Sequence, residues 1–107
     1  VAALEFDSDG QLAAAKLDNN ERLRAQSVIV ASRMNVHGEL YQALGGELDE
    51  HPLGTYIKVN ETGATEVPGV YAVGNASNLS AMVMAAAASG TLAGAAINAD
   101  LLNAKLT

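Results

Sequence analysis

The run from Ala81 to Leu102 constrains the fold more than any other part of this chain. It contains Ala85-Ala86-Ala87-Ala88, then Ser89-Gly90, then Ala93-Gly94-Ala95-Ala96, with no proline anywhere. Alanine is the best helix former and proline the worst, so the composition predicts one long helix from about Ser80 to Lys105. Glycine weakens such a helix by roughly 1 kcal/mol relative to alanine. Gly90 and Gly94, one turn apart, therefore predict a face that another backbone approaches closely. The same spacing also occurs where membrane helices dimerise. Here Ser89, Thr91, Asn98 and Asp100 interrupt the apolar run, and a helix packed inside a globular fold explains it better. Ser80 or Asn78 is the expected cap at its start, since either side chain can accept from free backbone N–H groups.

The segments before the helix read as strands and turns. Val1 to Phe6 is an apolar run closed by the turn residues Asp7-Ser8-Asp9-Gly10, and Leu12, Ala14 and Leu17 resume it up to Asp18-Asn19-Asn20. Leu23 and Ala25 alternate with Arg22, Arg24 and Gln26, the pattern of a half-buried strand. Ser27-Val28-Ile29-Val30-Ala31 is β-branched and continuous, which predicts a strand buried on both faces. Residues 1–32 are thus expected to form a β-meander feeding a buried strand. Leu40, Ala43 and Leu44 predict a two-turn helix within Gly38–Gly46, stopped at Gly45. Pro52 and Gly54 mark a loop, Tyr56 to Val59 an edge strand, Asn60 to Gly63 a turn, and Val70 to Val73 a last buried strand.

That last strand stops at Gly74-Asn75, just before the long helix. A glycine at a strand's carboxyl end lets the chain turn and lets a ligand approach the backbone. Asn75 adds an amide that can bond a hydroxyl or a phosphate oxygen. The helix start around Met82, Val83 and Met84 presents unpaired N–H donors in a field that favours negative charge. Ligands of open α/β sheets lie at such strand ends. An ordinary strand–turn–helix junction without a ligand has the same local features.

Composition narrows the function classes. With 107 residues the chain is one domain or part of one. Half of it is apolar, but only four residues are aromatic, so the expected core is Ala, Val and Leu. A net charge of −6 argues against nucleic-acid binding, which needs a basic face. The absence of cysteine excludes a disulfide framework, a thiolate metal site and a redox thiol pair within these residues. His37 and His51 are isolated from each other and suggest no metal. No stretch resembles a signal peptide or a membrane span, and a cytoplasmic location is expected. The chain begins at Val1 rather than Met, so a recombinant expression form, a processing event or a cut from a longer protein is expected.

The order of the parts carries a resemblance. Thr65-x-x-Pro68-Gly69-Val70-Tyr71-Ala72-Val73-Gly74-Asn75, followed by a small-residue helix, resembles the second flavin-binding motif of the pyridine nucleotide–disulfide oxidoreductases. The likeness is closest to the low-molecular-weight thioredoxin reductase branch, where the motif reads T-x-x-P-G-(V/I)-(F/Y)-A-x-G-D. "LGTYIKVNETGATEVPGVYAVGN" and the earlier "SVIVAS" follow that family's order too. The resemblance implies an α/β fold: part of a Rossmann-like, three-layer FAD/NAD(P)-binding domain, with a preceding β-meander and a long C-terminal helix. Residues 1–32 would be the tail of the NAD(P)-binding domain, and 33–107 the C-terminal half of the FAD-binding domain.

It also implies an FAD-dependent oxidoreductase in which Gly74, Asn75, Met82, Val83 and Met84 form half of the flavin site. In the family the aspartate at position 75 bonds the ribityl and diphosphate part of FAD, and the following helix points its N-terminus at the pyrimidine ring. NAD(P)H use belongs to the full-length protein, and a homodimer is expected. No residue is assigned as a catalytic acid, base or nucleophile. Two positions depart from the pattern: Asn75 replaces aspartate, and Met82-Val83 replaces the Arg-Gln pair that opens the family's last helix. The family's G-x-G-x-x-G loops and its C-x-x-C pair are absent from these residues. The 107 residues alone are therefore expected to be inactive, their partner being the N-terminal remainder of the enzyme or a separate chain that carries it. The other function class is a non-catalytic segment or subunit whose fold another chain completes. The remaining polar candidates are Glu47-Leu48-Asp49-Glu50, read as a solvated loop, an exposed His51, and His37 with Arg33 beside the domain crossover.

Overall fold

A computed structural model describes all 107 residues, which divide into two compact units, Val1–Ala31 and Ser32–Thr107. The first unit is an antiparallel meander of β1 (Ala3–Phe6), β2 (Leu12–Lys16) and β3 (Arg22–Arg24), with β2 in the middle. Its turns form where local chemistry demands them. The Asp7 carboxylate accepts from the N–H groups of Asp9 and Gln11, both at 2.9 Å. Asn20 adopts a left-handed conformation with φ of 67°, which asparagine tolerates better than most residues. Ala14 and Ala15 of β2 are buried, whereas all three residues of β3 are exposed, so the expected half-burial of Leu23 is not found.

The largest departure from the sequence reading follows the meander. Ser27 to Ala31 has no regular structure, and Ile29 and Val30 are 99% and 73% exposed rather than buried on both faces. A β-branched run becomes a strand only when neighbours supply ladder partners and a packing surface. No strand of this chain runs beside it.

The second unit carries a small mixed sheet and the core. β4 (Met34–Asn35) pairs in parallel with β6 (Gly54–Tyr56), which pairs antiparallel with β5 (Asp49–His51). The loop expected at Pro52 and Gly54 is a tight turn at Pro52 and Leu53 with Gly54 already in β6, and the strand expected over Tyr56–Val59 instead ends at Tyr56. Gly54 has φ of +148°, and a Cβ there would fall 1.7 Å from the carbonyl oxygen of Met34. Glycine is therefore what permits the parallel pairing.

Between β4 and β5, the helix α1 (Glu39–Ala43) ends before Gly45, which turns with φ of +94°. Its buried residue is Tyr41, at 5% exposure, and not the Leu40 and Leu44 face. The ring of Tyr41 packs against Gly46, where a Cβ would overlap it. Its hydroxyl donates to Glu66, which also accepts from the Glu47 N–H at 3.0 Å. Burial, foremost, and the nearby Glu66 carboxylate raise the Tyr41 phenol above its ordinary value, although a hydrogen bond with Thr65 opposes them. Tyr41, Ile57 and Ala72 make the core, with Val36, Leu48, Val59, Val67 and Val70 around it.

Val70 to Val73 is not a strand but an extended passage with a single bridge, Ala64 to Tyr71. Ala72 is nonetheless buried and donates its N–H to Gly63. As in Ser27–Ala31, an extended run lacks the neighbours that would make it part of a sheet. The chain then forms a single 3₁₀ turn, Gly74–Ala76, and the helix α2, Val83–Leu106.

The α/β class and the long C-terminal helix agree with the sequence, but two expectations about α2 fail. Met82 is the N-cap residue and no side chain caps the helix. Asn78 instead accepts from the N–H and hydroxyl of Ser80, closing a turn before the helix. Nothing lies within 4 Å of where a Cβ would stand on Gly90 or Gly94. Close approach occurs instead at Ala93, between them in sequence and only 4% exposed, which meets Gly63. A Cβ on Gly63, at φ +86°, would lie 3.4 Å from the Ala93 Cβ and 3.1 Å from the Ala72 carbonyl oxygen.

Candidate functional site

Gly74 takes φ of +64° directly after the extended Val73, so the chain reverses there without strain. Its N–H donates to the Ser89 hydroxyl at 3.0 Å, and that hydroxyl donates onward to the Ala86 carbonyl at 2.7 Å. Its carbonyl accepts from the N–H groups of Ser77 and Asn78. Both backbone groups of Gly74 are thus used within the chain, and its Cα faces Ala86 on α2. In this structure the glycine joins the turn to the helix rather than offering a free N–H. The turn is also tied to the sheet, since the Ile57 N–H donates to the Ala76 carbonyl at 2.8 Å.

The start of α2 is chemically open. The N–H groups of Val83, Met84 and Ala85 have no partner one turn back, and the first intrahelical bond runs from Ala86 to Met82 at 2.9 Å. Met82, Val83 and Met84 are all exposed. Together with Asn75, Ala81 and Ala86 they line one open depression of about 760 Å³. The structure therefore brings Asn75 and the helix start to one surface, with Gly74 just behind. Free N–H donors at the positive end of a helix, beside an exposed amide, suit a group that is partly anionic and rich in hydrogen-bonding atoms.

Asn75 also borders a second depression, of about 330 Å³, with Met34 to His37, Ala76 and Leu79. A third, of similar volume, lies between the hairpin and the same loop, lined by His51, Leu53, Tyr56 and Ser77 to Ser80. His51 is exposed, as expected, and its Nδ1 accepts from the Leu53 N–H at 3.1 Å. Its ring meets Tyr56 edge-on. Arg33 pairs with Glu50 at 3.1 Å, so the acidic run belongs partly to β5 and is not simply a solvated loop. His37 is an exposed rim residue.

Three tertiary contacts have no counterpart in the sequence pattern. Ser89 holds Gly74, Glu66 holds Tyr41, and Tyr71 donates its hydroxyl to Asp100 on α2. That last hydrogen bond, with burial second, raises the Tyr71 phenol above its ordinary value. Ser89 had a signal: it is the one polar residue within the run Ala85–Gly90.

The model of the pyridine nucleotide-disulphide oxidoreductase family matches residues 1–90, and the chain belongs to that family. Its domain has a Rossmann-like fold whose members bind FAD and NAD(P). No curated protein matches the chain. Among solved structures it is similar to HlmI, with 31% identity and a TM-score of 0.71 over 96% of this chain. An oxidoreductase from Agrobacterium tumefaciens shares the fold, with a TM-score of 0.68 over 92% of this chain and 20% identity. The chain spans 31% of the HlmI chain and 32% of the Agrobacterium one. No helix is long and apolar enough to cross a membrane.

Proposed function

We propose that this chain is the C-terminal flavin-binding segment of an FAD-dependent, thioredoxin reductase-like oxidoreductase. The observation that carries the reading is the shared depression of Asn75 and the uncapped start of α2. Asn75 would contact the ribityl or diphosphate region, Gly74 would set the turn that presents it, and the helix start at Met82–Met84 would face the pyrimidine edge of the ring. Bound FAD supplies the electron-transfer chemistry of such enzymes, and the protein supplies placement and electrostatics. Here the free N–H donors of α2 would favour negative charge near the ring. No side chain of the chain acts as acid, base or nucleophile in this reading.

The meander belongs, in the same reading, to the tail of an NAD(P)-binding domain, and residues 33–107 to half of an FAD-binding domain. The protein would use NAD(P)H only together with the rest of the enzyme, as a cytoplasmic homodimer. The decisive measurement is flavin release. Full-length protein should be yellow and should yield FAD on denaturation, and colourless protein yielding none would overturn the reading.

A second reading, a non-catalytic segment completed by another chain, draws on α2. Leu92, Ile97, Leu101, Leu102 and Leu106 point several ways round this helix, yet its only buried residue is Ala93. A helix apolar on all sides is ordinarily covered on all sides. Both readings therefore require further protein surface, from the N-terminal remainder or from a separate chain carrying G-x-G-x-x-G. If such a chain restores colour to colourless material, the protein is a split flavoenzyme.

A further inference from the structure

The side chain of Asn75 is already engaged on one side. The two hydrogens of its amide nitrogen are shared among the carbonyl oxygens of Asn78 at 3.3 Å, Leu79 at 3.3 Å and Ala81 at 3.1 Å. Three acceptors around one terminus decide which end of the amide faces the loop, since an oxygen there would meet only oxygens. The same loop is closed by the Ala81 N–H to the Asn78 carbonyl at 3.0 Å, and by the Asn78 side chain to Ser80. Ala81 leads directly into Met82, the N-cap residue of α2, where no side chain caps the helix. Oδ1 of Asn75 accepts no hydrogen bond within the chain.

We propose that Asn75 is a positioning residue: its NH₂ group pins the Asn78–Ala81 loop and so aims the free N–H groups at the start of α2. An aspartate could not do this, because a carboxylate only accepts and would set its charge against three carbonyl oxygens. The pin accounts for asparagine standing where the resemblance has aspartate. It also leaves only Oδ1 for a ligand, an uncharged acceptor that suits a hydroxyl and not a phosphate oxygen. What fills the depression rests on the flavin reading, whereas the pin does not.

The test compares Asn75→Asp and Asn75→Ala with the parent, using amide hydrogen exchange and flavin retention in the full-length protein. With these hydrogen bonds lost, N75D should speed exchange at Ser80 and Ala81 about tenfold near neutral pH. Flavin retention should fall by about the same factor, while exchange in the β4–β6–β5 sheet stays unchanged. Lowering the pH until the introduced carboxyl protonates restores a donor and should recover part of both losses. N75A should lose protection with no recovery at low pH. Parent-like exchange in both variants, or flavin held as tightly by N75D as by the parent at neutral pH, would overturn the proposal. Should N75D fail to fold, N75A carries the test through Ser80 and Ala81, and parent-like protection there overturns the pin. If the parent holds no flavin, the exchange arm still judges the pin, and only the flavin reading falls.

Discussion

The segment Ser32–Leu79 and the helix α2 that follows it obey different rules. The segment has little regular structure, yet it buries Tyr41, Ile57, Ala72 and Leu79 and engages its loop polar groups in local hydrogen bonds. The helix has 24 residues of regular structure and one buried side chain. Beyond its first turn its backbone is satisfied internally, but its apolar surface is largely exposed. The contacts that hold the two together include Gly63 against Ala93, Gly74 to Ser89 and against Ala86, and Tyr71 to Asp100. In this chain regularity and burial have come apart. Hydrogen-bonded turns fix the candidate site, while the helix leaves most of its apolar side chains exposed.

That contrast can be broken from either side. The largest effect is expected in the core segment, at Gly54→Ala. The added Cβ would collide with the Met34 carbonyl at 1.7 Å in a backbone conformation that disfavours side chains. Backbone cannot yield as a flexible side chain does, so the loss should reach roughly 3 kcal/mol in a denaturation curve. An unchanged midpoint would show that the β4–β6 pairing contributes nothing.

On the helix the sign should reverse. With open space around Gly90, Gly90→Ala should stabilise the chain by itself by about 1 kcal/mol through helix propensity alone. In the assembled protein the same substitution should weaken association if another backbone packs on that face. A gain in both settings would mean that the face stays free.

The smallest effect is expected at the seam. Hydrogen bonding to Asp100, then burial, raises the Tyr71 phenol above 10.0, so the folded state keeps this proton longer than the unfolded chain does. The stabilisation is therefore complete below the ordinary tyrosine value and disappears as pH climbs through the raised one. Tyr71→Phe should lower the thermal midpoint slightly at neutral pH and make its decline above pH 10.0 shallower than in the parent. Parallel pH profiles would remove Tyr71 from the seam.

Turns were the most legible part of the chain because they depend on near neighbours. Asp7 and Asn60 each bond backbone N–H groups two and four residues on, and such contacts are visible as sequence patterns. The composition of Ser27–Ala31 and of Val70–Val73 predicts buried strands, and neither is one. Strand structure belongs to a pairing, and a run of valines does not say whether its partner exists. The candidate site shows the same division. Gly74, Asn75 and the residues from Met82 to Met84 could be named from the junction alone, because glycine, an amide and a helix start have local meanings. Ser89 could not, since its task is to reach back fifteen residues to Gly74. Asn75 was recognisable as a hydrogen-bonding side chain, but its amide faces the loop.

By itself the sequence determined the meander's turns, the long alanine-rich helix, and the Pro-Gly-Val-Tyr-Ala-Val-Gly-Asn order that places the chain in its family. These follow from conformational preferences acting within a few residues. Only the tertiary structure decided that α2 starts uncapped at Met82, that Gly90 and Gly94 face open space, and that Asn75 turns its donors inward. Each of those outcomes depends on where another part of the chain lies, and a donor among three carbonyls is fixed by the acceptors around it.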